Sequence, residues 1–465
     1  MNLDKHIMGG EKWIKLLKNA HIRSESGSKN QPTDIRSEFQ RDFDRIVFSS
    51  AFRRLQNKTQ VLPLPKSDYV RNRLTHSIET SSVGRSIGNI VGRNILNKYP
   101  EITRQTGIKS SDFGYMVSSA CLAHDIGNPP FGHSGEEAIG LYFNSNKAKP
   151  YLEVLNKKQI ADLKNFEGNA AGFRIISRTL ELQSHIRGGL NLTYGTYATF
   201  TKYPKEVLPI RSNEPKASLK KYGLFQTEIE SYKKIAINLN LKSQSHSEEE
   251  IAWHRFPLSF LVEAADDICY HIIDYEDGYN VKLISFEEIL GSFTEILILC
   301  KNIFFKEKLG HIIDKHSKVT YLRSLVINEL IHKVSLIFNQ NEKDIVEGAF
   351  DKALLKCLDP RLTKILEKIL EISEEKIYKS KPILKIETAG FKVIPFLLHT
   401  FIKARLTTNN YVGKKQILAL LPPQYHSGTT NYEKILNIVM FISSMTDRFT
   451  VELYKNLNGI ELAGY

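Results

Sequence analysis

The sequence is poor in cysteine, and its four thiols, Cys121, Cys269, Cys300 and Cys357, form no CxxC pair. That excludes a thiolate zinc module and a disulfide-stapled scaffold, and leaves reduced thiols of a folded interior. Long hydrophobic runs are also missing. The longest, near residues 393–402, carries a Pro and a His and is too short to span a bilayer. The opening residues MNLDKHIMGGEKW lack the apolar core of a signal peptide, so a cytoplasmic location without a membrane partner is expected. Alternating strand patterns are scarce. No internal repeat, low-complexity tract, Arg-rich tail, or RRM, KH or zinc-finger word occurs.

What is present is the balance of a soluble globular chain: 465 residues, 42% hydrophobic and 25% charged. This length allows one large domain or two to three ordinary ones. Lys and Arg outnumber Asp and Glu, 64 against 51, a net charge of +13. Such an excess suits a polyanionic partner: a nucleotide, a nucleic acid or another phosphate compound. The charge is spread along the chain, so it does not name which.

Helical periodicity dominates and predicts an all-α fold. Residues 76–96 place apolar groups at 83, 87, 90, 91 and 95. Residues 112–125 follow Ser110 and Ser111 as N-caps, and 257–276 open with Pro257 at a helix start. Amphipathic stretches recur near 283–304, 321–338, 361–377, 387–407 and 431–456. Residues 204–218 and 240–250 read as exposed loops, and a soft boundary lies near 290.

Chemistry concentrates in HDIGNPPFGH, His124 to His133. His124 and Asp125 close a helix and both reach one ion beyond its end. Nitrogen and oxygen donors together suit Mn, Fe, Zn or, less well, Mg. Two ligands are too few, and two further candidates stand elsewhere. His76 begins a long amphipathic helix. In EAADDICYHIID, Asp266, Tyr270 and Asp274 recur at i, i+4 and i+8, a polar stripe on an apolar helix. Asp266 is the candidate ligand, with Tyr270 and Asp274 continuing the site. Pro129 and Pro130 stop the first helix, and Gly132 permits a tight turn. Ser134 resembles an N-cap, with Glu136 and Glu137 in the first turn. That puts His133 on a stiff loop beside the metal, with Glu136 three residues on to orient it as a general acid or base.

The order H…HD…D resembles the HD-domain metal-dependent phosphohydrolases. The words RRLQNKTQV, RLTHSIE, AHDIGNPPFGHSGEEA, FEGNAAGFRI, EAADDICY and SSMTDRF are similar to one branch, the deoxyguanosine-triphosphate triphosphohydrolases. They run in order from about 36 to 280 and again near 440–450. The resemblance implies metal ligands at His76, His124, Asp125 and Asp266, and catalytic roles for His133 and Glu136. It implies phosphate contacts at Arg73, Asn169, Lys202, Tyr203 and Lys221, the last beside Lys220. It also implies a nucleotide pocket lined by Gln60 and Val61, with Tyr270 under the sugar. The expected reaction is metal-dependent hydrolysis of dGTP, or of dNTPs broadly, at the α-phosphate. The expected products are deoxynucleoside and tripolyphosphate.

The implied organisation is an N-terminal segment, 1–35, a catalytic domain, 36–290, and a helical region, 291–465, used for packing and oligomer contacts. A homo-oligomer, often a hexamer, and a nucleotide or single-stranded DNA effector go with the family. Arg448 has two readings, a phosphate contact or a salt bridge. The competing functions are another HD phosphohydrolase, acting on monophosphates, cyclic dinucleotides or alarmones, and a basic nucleic-acid-binding protein with a structural metal. Against the latter, a structural site has no need of His133 and Glu136 beside its ligands.

Overall fold

The computed structural model describes residues 2–18, 21, 35–61, 70–178, 189–210, 216–245, 247 and 249–460. Among them secondary structure is helical throughout, and strand pairing is confined to isolated bridges such as Thr59 with Asn72 and Lys205 with Ala252. The fold is all-α, as the periodicity predicts. No helix of the described residues is long and apolar enough to cross a membrane. The chain opens with a helix, Asn2–Leu16, and most of the remaining N-terminal segment lies outside the described residues. Of the two expected exposed loops, the second is mostly exposed, but the first is buried at Lys205, Glu206 and Val207, because Glu206 is held by Lys158, Gln226 and the Ile251 N–H, and it closes in a short 3-10 turn, Ala217–Leu219. Residues 211–215 of the first, and 246 and 248 of the second, lie outside.

The most extensive helix pairing joins Arg73–Lys98 to Ser110–Ala123, and glycine explains its closeness. Gly84, Gly88 and Gly92 recur every four residues and so share one face. A Cβ at Gly88 would lie 2.8 Å from the Phe113 carbonyl oxygen and 3.0 Å from the Cα of Gly114. One at Gly84 would lie 2.6 Å from the Cys121 sulfur. The two helices run antiparallel, so His76 in the first turn of one meets His124 at the end of the other. Ser259–Asn280 packs on both and brings Asp266 to the same place.

Several helix ends differ from those predicted. Lys109, not Ser110 or Ser111, caps Ser110–Ala123, because the Asp112 carboxylate reaches back to its N–H. Pro257 precedes the first helical residue, Ser259, by a turn. The stretch 431–456 is two helices, Asn431–Ser443 and Asp447–Leu457, because Thr446 caps the second. The stretch 361–377 is α-helical only to Ser373 and ends in a π turn, Glu374–Tyr378. Ser134 is no cap. The helix begins at Gly132, after Phe131 at φ +65°, so His133 stands in a first turn rather than on a loop. Of the cysteines, Cys121 and Cys269 are buried and Cys300 and Cys357 half-buried, all as free thiols.

The buried apolar side chains form one cluster that runs from Trp13 to Leu453. Lys381–Leu406 packs on both Gly132–Asn144 and Asn431–Ser443. Asp162, on the helix Lys157–Lys164 that packs on Gly132–Asn144, is fully buried. Its carboxylate accepts the Gln226 N–H at 2.8 Å and the Tyr432 hydroxyl. Burial pushes this carboxyl up to about 8. The unfolded carboxyl releases its proton near pH 4, so folding takes up a proton between these values. The contribution of Asp162 to stability therefore falls as pH rises from about 4 to about 8, by at most about 1.4 kcal/mol per pH unit. Asp162→Asn lacks this dependence. Its melting temperature relative to the parent should rise across that window and level off above it, in thermal scans at a series of pH values.

Candidate active site

His76, His124 and Asp266 each present a ligand atom, and these atoms all lie within 4.8 Å of one another. The His76 helix starts cleanly because Asn72 and Thr75 form a capping box, which fixes the first turn. His124 Nδ1 lies 2.6 Å from the Cys121 carbonyl and so carries the proton. Its Nε2 is left as a lone pair, buried and without a hydrogen-bond partner. Asp266 Oδ1 lies 3.3 Å from the Nε2 atoms of both histidines. Orphaned imidazole nitrogen beside carboxylate oxygen is a donor set that fits a divalent cation.

Asp125 stands at the rim of this group rather than in it. Its Oδ1 is 3.5 Å from His124 Nε2 but accepts from Asn128 at 2.6 Å, and Oδ2 accepts from Arg73 at 2.7 Å. Lys202 Nζ is 2.7 Å from Asp266 Oδ2. Burial alone would raise both carboxyls. Arg73 holds Asp125 well below the usual range, and Lys202 does the same for Asp266. Both stay ionised.

His133 Nδ1 is 2.8 Å from Glu136 Oε2, and the other Glu136 oxygen accepts the Gly168 N–H at 2.7 Å. The carboxylate is anchored while the imidazole, 85% exposed, faces open space. The hydrogen bond to Glu136 raises the His133 pKa above its ordinary value and outweighs desolvation. Burial pushes Glu136 up, but His133 and Lys221 hold it below the ordinary value.

One cavity of about 510 Å³ is lined by every candidate site residue named above except Arg448, from Gln60 and Val61 to Tyr270 and Asp274. Cations stand along one side. Lys221 is 3.5 Å from Glu167, which also accepts from Asn169 at 2.7 Å. Tyr203 packs under the Arg255 guanidinium at 5.5 Å. One helical turn beyond Asp266, Tyr270 stacks on Tyr378, ring centroids 5.6 Å apart and planes 7° from parallel. The Tyr378 hydroxyl donates to Asp274 at 2.9 Å, and burial pushes that carboxyl up to about 7. Gln60 Oε1 is buried in this wall without a partner.

The sequence reading missed Thr59, Asn128, Phe131 and Glu167, and also Glu374, Tyr378, Ile383, Ile386 and Glu387 from the C-terminal part. No local word marks the last five; their stretches read as ordinary amphipathic helix. Only the acidic and aromatic residues on one turn of each hint at a cavity face. Arg448 does not line the cavity. It is exposed and bonds Glu452 at 2.6 Å within its own helix.

No family model matches the chain. Curated relatives do. A deoxyguanosinetriphosphate triphosphohydrolase-like protein of Synechocystis is 38% identical over 458 residues, 97% of this chain and all of the relative. A protein of the same name from Listeria monocytogenes is 35% identical over 483 residues, again 97% of this chain and all of the relative. A deoxyguanosinetriphosphate triphosphohydrolase of Yersinia enterocolitica is 30% identical over 505 residues, with 92% and 95% covered. Likeness of this extent, spread over nearly the whole chain, places it in the deoxyguanosinetriphosphate triphosphohydrolase family.

Proposed function

We propose that the protein hydrolyses dGTP, and other dNTPs to a degree set by the base end of the cavity, to deoxynucleoside and tripolyphosphate. One observation carries this reading: a single cavity is lined by a cation-ready His/Asp group, a carboxylate-backed histidine, three cationic side chains and a pair of stacked tyrosines. Its volume lies in the range of small-molecule sites. The row of Arg73, Lys202 and Lys221 favours a triphosphate over a monophosphate.

His76, His124, Asp125 and Asp266 are the residues to hold a divalent metal, Mg, Mn, Fe or Zn. When bound it supplies Lewis-acid charge stabilisation at the phosphate and an acidified water. Arg73 and Lys202, paired with Asp125 and Asp266 here, would be freed for phosphate oxygens once those carboxylates held a metal, with Lys221 and Asn169 further along the chain of phosphates. Water attacks the α-phosphorus, and the bond from phosphorus to the 5′-oxygen breaks. His133, protonated on both nitrogens and held by Glu136, gives its Nε2 proton to that oxygen. Tyr270, fixed by Tyr378, lies where a 2′-hydroxyl would clash, and Gln60 offers both a donor and an acceptor to a base edge.

Incubation with each dNTP and NTP, in Mg or in Mn, followed by phosphorus NMR, should show tripolyphosphate from dGTP, and a chelator should abolish its release. Orthophosphate or pyrophosphate instead would refute α-phosphate attack. His133→Ala should lower kcat by about 10²- to 10⁴-fold with metal content unchanged; full activity would sink the acid role. Because Glu136 raises the His133 pKa, Glu136→Gln should move the alkaline limb of kcat to lower pH, since an acid is lost once it deprotonates. An unmoved limb in the pH profile would assign His133 to orienting the water. Tyr270→Ala should narrow the preference for dGTP over GTP by at least about tenfold in kcat/KM, and an unchanged ratio would remove Tyr270 from sugar selection.

A further inference from the structure

The word SSMTDRF, far from the other motifs in sequence, leaves Asp447 without an assigned task. Asp447 is the first residue of its helix, a place where a carboxylate ordinarily faces solvent, yet it is 3% exposed. Both its oxygens are spent on distant backbone. Oδ2 accepts the Thr59 N–H at 2.9 Å and Oδ1 accepts the Phe131 N–H at 3.0 Å. Thr59 adjoins Gln60 and Val61 in the cavity wall, and Phe131 is the residue from which the His133 helix departs. Phe131 and Gly132 are both left-handed, φ +65° and +60°. A side chain such as Phe keeps that conformation only where its surroundings impose it.

The same turn is gripped at two more points. Lys58, also 3% exposed, donates to the carbonyls of Asn128 and, at 2.8 Å, Ser443. Ser443 Oγ donates to the Gly127 carbonyl at 3.1 Å. Thus the backbone between Asp125 and His133 is tied at Gly127, Asn128 and Phe131 to Lys58 and the end of one C-terminal helix and the start of the next. Neither Asp447 nor Lys58 lines the cavity.

We propose that Asp447, buttressed by Lys58 and Ser443, is a positioning residue that locks the base-side segment Thr59–Gln60–Val61 to the turn presenting His133. Base recognition and proton delivery are thereby kept in one register. The proposal rests on the reading of the cavity given above. A carboxylate serves both amides at once. An asparagine has one oxygen and turns an NH2 group against the second amide, so one of the two ties must break.

The test compares Asp447→Asn, Ser443→Ala and, as a neighbour in the same word, Arg448→Ala in the full-length metal-loaded protein. Asp447→Asn should lower kcat by about tenfold to a hundredfold, the cost of misplacing a catalytic group by about an ångström. It should also alter the ratio of kcat/KM among the four dNTPs, while Mn affinity stays at the parent value. Amide hydrogen exchange at Thr59 or Phe131, measured without nucleotide, should accelerate. Ser443→Ala should lower kcat less and leave the base ratios alone, since it touches only the Gly127 side. Arg448→Ala should change none of these. Parent-like kcat and base ratios in folded Asp447→Asn overturn the proposal, as does a loss that only follows the fraction of folded protein. If Asp447→Asn does not fold, an unchanged kcat in Ser443→Ala overturns it. A parent protein that cleaves no dNTP overturns the reading of the cavity instead, and amide exchange at Thr59 and Phe131 then decides the lock by itself.

Discussion

Everything at the site depends on how closely two helices approach. Gly84, Gly88 and Gly92 face Cys121, Gly114 and Phe113 with no room for a methyl group. Without that contact, ordinary side chains would hold the helix axes about 8–10 Å apart. With it, the His76 and His124 rings sit 5.3 Å apart, and Asp266 from a third helix reaches both. The constraint is steric and lies in the scaffold. The chemistry inherits its precision from packing that no substrate touches.

Such packing concentrates charge, and the charge must be balanced. Asp125 and Asp266 lie in a buried group with two histidines, where unpaired carboxylates would take up protons. Arg73 and Lys202 prevent this by direct ion pairs. The arrangement is a set of carboxylates kept ionised and a set of cations on loan to them. On the proposed reading, carboxylates that held a dication would release Arg73 and Lys202 to a triphosphate, so each addition would relieve the charge that the other brings.

How much of this was legible in sequence follows from how local each signal is. His124 with Asp125, His133 with Glu136, and Tyr270 with Asp274 are near neighbours on a chain whose helices are plainly periodic, so their shared placement is readable. Tyr378 and Glu387 are not, because they reach the cavity only through tertiary packing and sit in stretches that look like any amphipathic helix. Helix starts differ from the obvious local cap where another bond outranks it, as where Asp112 reaches back to the Lys109 N–H ahead of Ser110 and Ser111. Ser134 has the chemistry of a cap, but Asp447 holds Phe131 in the left-handed conformation and the helix begins earlier. The stripe in SSVGRSIGNIVG is visible in sequence, yet its meaning needs the identity of the opposing face, which sequence spacing does not supply.

The exposure of His133 carries the last step. Glu136 is anchored by a backbone amide, but the imidazole it orients lies 85% in solvent. In water a histidine–carboxylate bond is weak and its proton is shared freely with solvent. On the proposed reading, a nucleotide seated among the cations and the Tyr270–Tyr378 stack would cover that imidazole and remove the water around it, strengthening the bond to Glu136 and holding the imidazolium where the 5′-oxygen departs. On the proposed reading, a nucleotide whose sugar or base fits the far end badly leaves His133 wet, so selection at the stacked tyrosines acts on the chemical step as well as on binding.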